Sequence, residues 1–190
     1  MFALVIGSLM FRAQAQTGFV YSSAQSKRII ETKARGVISA LHDRHMNRLA
    51  GFVHPSKGLQ FSPYVHAANS DRKFARSRVR ALGQTQQRYL WGSYDGTGDP
   101  IRLSWREYFL KFVYNRNFAA TPNVSYNVIK NRGNTPNNLH AFYPGSIVVE
   151  YFTPDPKEAD GFNWQGLWLV FQPRGTNWYL VGIAHDQWTI

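Results

Sequence analysis

The chain has 190 residues, 44% hydrophobic and 15% aromatic, a composition that supports a globular domain with a full core and excludes a disordered or low-complexity chain. Lys and Arg number 22 against 11 Asp and Glu, a net charge of +11, which points either to anionic partners (nucleic acid, phospholipid headgroups, acidic envelope polymers) or to a solubilising surface. Cysteine is absent, so disulfides, thiolate metal sites and a cysteine nucleophile are excluded.

The first eleven residues form a short apolar run, and Ala13-Gln14-Ala15 gives a small-x-small cleavage pattern. Residues 1–15 therefore read as a signal peptide, lacking only the usual Lys or Arg before the apolar run, and a secreted or periplasmic location is expected. The run is too short to span a bilayer. From 26 to 52, Ile30, Ala34, Val37, Ile38, Leu41, Leu49 and Phe52 recur at helical spacing, which predicts one long amphipathic helix with its basic residues mainly on the wet side. His42 and His45, three apart, are a weak metal signal with no third ligand nearby. After the break at His54-Pro55, Leu59 and Phe61 alternate as a short strand. In the stretch 71–80, Arg76, Arg78 and Arg80 share a face if it is a strand, and Arg72, Arg76 and Arg80 share one if it is a helix. Either way the row is the densest positive feature and the natural contact for a phosphate or carboxylate.

Next, an aromatic run containing Trp91 and Tyr94 ends in a glycine-rich acidic loop. Asp95, Thr97 and Asp99 offer alternating oxygens like the first half of a calcium loop, but the position needing a bidentate carboxylate falls on Arg106. A tight turn is the simpler reading. Ser104-Trp105-Arg106-Glu107 is a capping box opening a helix to about residue 114, with Trp105, Tyr108, Phe109, Phe112 and Val113 inward. Strands are predicted at 124–130 and 146–152, the second alternating Ile147, Val149 and Tyr151 against Val148, Glu150 and Phe152. The chain closes on a hairpin whose apolar runs, 167–171 and 178–183, flank a Pro- and Gly-bearing turn. Four of the six tryptophans lie in these last residues, so the C-terminus is core.

With no repeat, low-complexity segment or long linker, residues 16–190 read as one α+β domain, its helices packed against a curved, mainly antiparallel sheet. This order of elements resembles the nuclear-transport-factor-2-like superfamily, whose bent sheet wraps helices and encloses a pocket. Trp91-Gly92 with Asp95-Gly96-Thr97-Gly98, and Trp178-Tyr179-Leu180-Val181-Gly182-Ile183 with His185-Asp186-Gln187-Trp188-Thr189-Ile190, also resemble a family of uncharacterised secreted bacterial proteins. The first resemblance implies a pocket inside a cone, in a superfamily of enzymes and non-catalytic binding modules alike; its sheets often pair face to face, so a homodimer is among the expected assemblies.

On a regular final strand, Trp178, Leu180, Gly182, Ala184, Asp186 and Trp188 share one face and Tyr179, Val181, Ile183, His185 and Gln187 the other. His185 and Asp186 then point apart and form no dyad. A cofactor-independent hydrolase, lyase or isomerase would draw its general base and polar partner from Asp186, His185, Tyr94, Glu150, Asp95 and His140; no nucleophile elbow is present, and no cofactor is implied. The leading expectation is a small-ligand-binding or accessory domain with an aromatic, basic pocket, in which Trp91, Trp188, Arg76, Arg78 and Arg80 would contact an anionic or amphipathic ligand. The enzyme is the second expectation. A nucleic-acid or polyanion binder, carried by charge alone, is the third.

Overall fold

The computed structural model describes residues 21–154 and 161–189; the predicted signal peptide lies outside them. Helix α1 (Ser23–His42) opens on a capping box between Ser22 and Gln25 and buries Ile30, Ala34, Val37, Ile38 and Leu41. The long helix predicted over 26–52 is in fact two, because the chain turns at Arg44, whose φ is 53°. The Arg44 N–H donates to Leu41 O and the His45 N–H to Ala40 O, the paired bonds of a Schellman ending with Arg44 where glycine is usual. The His45 ring then starts α2 (Met46–Phe52) by accepting from the Arg48 N–H at 3.3 Å.

Strands β1 (Leu59–Ser62) and β2 (Arg72–Phe74) are antiparallel, followed by the short helix α3 (Arg76–Ala81). A separate two-stranded sheet pairs β3 (Arg88–Ser93) with β4 (Pro100–Ser104). The predicted capping box is in place: Ser104 Oγ accepts from the Glu107 N–H while Glu107 Oε2 accepts from the Ser104 N–H at 2.7 Å. It opens α4 (Trp105–Tyr108), which widens into a π-helical turn over Phe109–Val113. Then come β5 (Val124–Tyr126), shorter than predicted, α5 (Leu139–Phe142), β6 (Ile147–Thr153), β7 (Gln165–Arg174) and β8 (Asn177–Gln187).

The main sheet has the order β2-β1-β8-β7-β6-β5. Every neighbouring pair is antiparallel except β1 and β8, which run parallel, with Phe61 opposite Ile183. The fold is thus α+β on a mixed sheet. One face carries Ile147, Val149, Tyr151, Leu167, Leu169, Phe171, Leu180 and Ile183 into the main core, with α1, α2 and the aromatics of β3 and α4. The other carries Val148, Trp168, Val170 and Ala184 into a smaller core closed by Leu139 and Tyr143. Burial on both faces gives β7 its unbroken apolar run.

Candidate functional site

Strand β8 is not regular. Val170 pairs with Gly182 but Phe171 pairs with Leu180, so Val181 is an extra residue, a bulge that exchanges the faces beyond it. The single alternation predicted through 178–188 is corrected accordingly: Leu180 faces the main core together with Ile183, while Val181 joins the smaller core with Ala184. Past the bulge the period of two holds, and His185 and Asp186 lie on opposite faces.

His185 is fully buried among Gln165, Asn115 and Phe112. Its Nε2 lies 2.7 Å from Gln165 Oε1 and 3.2 Å from Gln187 Oε1, so this nitrogen carries the proton. Nδ1 has no partner among the described residues. Burial lowers the pKa to about 4, against a small opposing effect of Gln187, so the ring is neutral at pH 7. Asp186 faces a polar cluster on the other side. Burial is the main reason its pKa rises to about 7, and the Glu150 charge adds to it, while the Trp168 indole and Arg132 oppose. The indole N–H nonetheless makes no hydrogen bond of regular geometry to a described residue. Glu150 is buried and held by an ion pair with Arg132 and a 3.0 Å bond from Ser125 Oγ. Its role is to anchor the 127–138 segment through Arg132, whose guanidinium also stacks on Phe152 at 3.9 Å.

The other predicted residues are scattered. Trp91 is wholly buried, stacked on Tyr108 at 3.8 Å and bonded through its N–H to Leu103 O. Trp188 is 40% exposed and rests on Phe162. Tyr94 accepts from Lys111 Nζ at 3.2 Å. The arginine row does not form as predicted, because Arg72 lies on β2 while Arg76, Arg78 and Arg80 lie on the separate helix α3. Arg76 donates to Val53 O, Arg78 binds Gln87 Oε1 and the Tyr89 hydroxyl, and Arg80 borders a shallow surface hollow beside His45. Asp95 Oδ2 accepts from Thr189 Oγ1 at 2.6 Å and Thr135 Oγ1 at 3.0 Å, which holds its pKa below the usual range. Thr97 Oγ1 accepts from the Asp99 N–H, so the loop is built as a turn. No group of three or more His, Asp or Glu side chains among the described residues is placed to hold a metal ion, and none of the described helices is long and apolar enough to cross a membrane.

A feature the sequence does not single out is a groove of about 560 Å³ between α1 and β5. Lys27, Glu31, Arg35 and His42 project from α1, and Tyr126 and Tyr151 line it from the strands. The volume is that of a small-molecule site. Arg35 Nη2 holds Glu31 Oε1 at 2.6 Å on the rim. Tyr126 is 7% and Tyr151 4% exposed, and burial raises both phenols above their ordinary pKa, so both stay protonated donors. The Tyr151 hydroxyl has no hydrogen-bond partner among the described residues, although buried hydroxyls are ordinarily bonded. The helical stripe marks Ile38 as inward and the strand alternation puts Tyr151 beside Val149. Their meeting required knowing that β5 and β6 lie next to α1, which no local pattern encodes.

Comparison with known proteins gives no matching family, no matching curated protein and no matching solved structure.

Proposed function

We propose that the chain is a small-ligand-binding or accessory domain whose seat is the groove between α1 and β5, and that it acts outside the cytoplasm. The observation that carries this reading is a groove walled by Tyr126 and Tyr151, with Lys27, Arg35 and His42 on its rim and, just beneath its wall, a buried Tyr151 hydroxyl that has no partner among the described residues. Leaving such a donor unpaired costs about 1–3 kcal/mol, which a ligand oxygen would recover by widening the groove enough to reach the enclosed hydroxyl. Ile38, Pro122 and Val124 supply apolar wall, so the fitting ligand is amphipathic, with an acceptor or anionic oxygen at one end. The sheet order, with its long central hairpin and with α1 and α2 packed on one face, supports the nuclear-transport-factor-2-like cone as the fold behind this seat. The enzyme reading draws one observation, the pKa of Asp186 near 7, the range a general base needs. That carboxylate lies across the sheet from His185, and Tyr94 is tied to Lys111, so binding without catalysis is the better-supported reading.

The test uses 8-anilinonaphthalene-1-sulfonate, an aromatic anion, as a fluorescent probe. Saturable binding to the folded wild type is expected, with Tyr151→Phe weakening it about tenfold, the loss of one hydrogen bond, while leaving the melting temperature unchanged or raised. Val124→Trp should fill the groove and abolish binding. Wild-type affinity in both variants would remove this groove as the seat.

A further inference from the structure

A second groove, about 740 Å³, opens on the opposite face of the sheet between the β1–β2 end and α5. Ser56, Lys57, Asn69 and Lys73 line it, with Tyr143 and Gln172. Lys57 is placed by a tight turn: His54 Nδ1 accepts from the Lys57 N–H at 3.0 Å and the Ser56 N–H at 3.3 Å, while His54 O accepts from the Gly58 N–H. Gly58 has φ +73°, and a Cβ there would lie 2.4 Å from Phe74 O, so the turn admits only glycine. The Lys57 ammonium donates to Gln172 Oε1 at 2.7 Å, and Gln172 Nε2 donates in turn to Pro144 O. An ammonium has three donors, so this bond orients Lys57 and leaves it able to bind a ligand.

Tyr143 is 7% exposed. Its hydroxyl lies over Gly182, where a Cβ would sit 3.0 Å away, and it is influenced by burial and the Asp71 charge with no hydrogen bond to a described residue. Asp71 itself is committed elsewhere, accepting from Ser62 Oγ at 2.5 Å and the Ala68 N–H at 2.9 Å. Lys57 and Lys73 form no ion pair with a described carboxylate, unlike Arg35, Arg48, Arg88 and Arg132. The charges of Lys57, Arg174 and Arg76 all reach His54, where they reinforce the lowering by burial. The surroundings are therefore positive and furnished with O–H and N–H donors.

We propose that this groove is a binding site for the phosphate group of a small phosphorylated molecule. Two lysines act as point charges, which suits a tetrahedral dianion, whereas a planar monoanionic carboxylate is matched by the arginine fork that this groove lacks. Phe142 and Val181 line the same groove and give the body of the molecule an apolar wall. The site is independent of the groove beside α1 and stands whether or not that one binds.

Calorimetric titration of the full chain with phenyl phosphate, inorganic phosphate and acetate, at pH 7.5 and constant ionic strength, tests the proposal. Phenyl phosphate should bind tightest and acetate weakest. Lys57→Ala/Lys73→Ala should weaken phenyl phosphate at least tenfold, Tyr143→Phe about threefold, and Arg28→Ala/Arg102→Ala, which removes the same charge elsewhere, less than twofold. The Lys73 side chain makes no hydrogen bond or ion pair to a described residue, so Lys73→Ala alone keeps the test readable if the double variant misfolds; it should cost at least threefold. Acetate binding as well as phenyl phosphate, equal binding of inorganic and phenyl phosphate, or equal losses in the groove and control variants would each overturn the proposal.

Discussion

Asp186 and His185 are chain neighbours on opposite faces of one strand, and their burial gives stability two opposing pH dependences. Asp186 is raised from 3.8 to about 7, so the folded state holds a proton that the unfolded chain has released. Its stability is intact below the unfolded pKa and is lost as pH rises to about 7, a total of about 4 kcal/mol. His185 is lowered from 6.5 to about 4, so stability is intact above 6.5 and is lost as pH falls to about 4. Between about 4 and 6.5 the two slopes offset. Asp186→Asn keeps the shape and removes only the acid. It should be more stable than the wild type in urea at pH 8, by up to about 4 kcal/mol, and its stability should climb more steeply than that of the wild type from pH 4 to 6.5. A variant less stable at pH 8 would show that the ionised carboxylate has a partner worth keeping. The opposite placement of the pair was legible from a period of two. The size of the shifts was not, because it comes mainly from burial, which tertiary packing decides, and for Asp186 also from Glu150 and Arg132, which reach the strand from distant parts of the chain.

Elements were legible where local chemistry is complete and hidden where a residue stands in for the usual one. Ser104 and Glu107 form the expected capping box, because both partners lie within one turn of sequence. The end of α1 was hidden because Arg44 occupies a left-handed position that glycine normally marks. The Val181 bulge was hidden as well, since a β-branched apolar residue continues the strand pattern without interruption. Gly58 and Gly98 show how far a backbone angle alone decides. Their φ values are +73° and +74°, but a Cβ at Gly58 meets the Phe74 carbonyl at 2.4 Å whereas one at Gly98 has nothing within 4 Å. Gly98→Ala should therefore cost about 1 kcal/mol, the strain of the angle, and Gly58→Ala about 3 kcal/mol or more, since β2 must also move away from the turn. Urea denaturation of the two variants would measure the difference, and equal costs would mean that the β2 end yields freely.

Across the whole molecule, the last strand is a central one. Strand β8 lies between β7 and β1, pairing residues 182–184 with 60–62 in parallel, and it supplies Leu180 and Ile183 to one core and Val181 and Ala184 to the other. The tryptophan-rich hairpin marked the C-terminus as core in the sequence, yet nothing local indicated that its parallel partner is a strand more than a hundred residues earlier. Both grooves follow from this arrangement, one on each side of a sheet that β8 completes. Ending the chain after Thr176 should leave β1–β2 and β7–β6–β5 without their common neighbour, with two unpaired edges and two opened cores, so that cooperative unfolding disappears by circular dichroism. Ending it after Gln187 removes the Trp188 ring that packs on Phe162 and the Thr189 bonds to Asp95, Asn134 and Thr135. That shorter deletion should keep a cooperative transition, lowered by about 1–3 kcal/mol for the lost hydrogen bonds. A cooperative transition surviving the loss of β8 would mean that β1–β7 and the helices fold by themselves, and that β8 merely docks onto them.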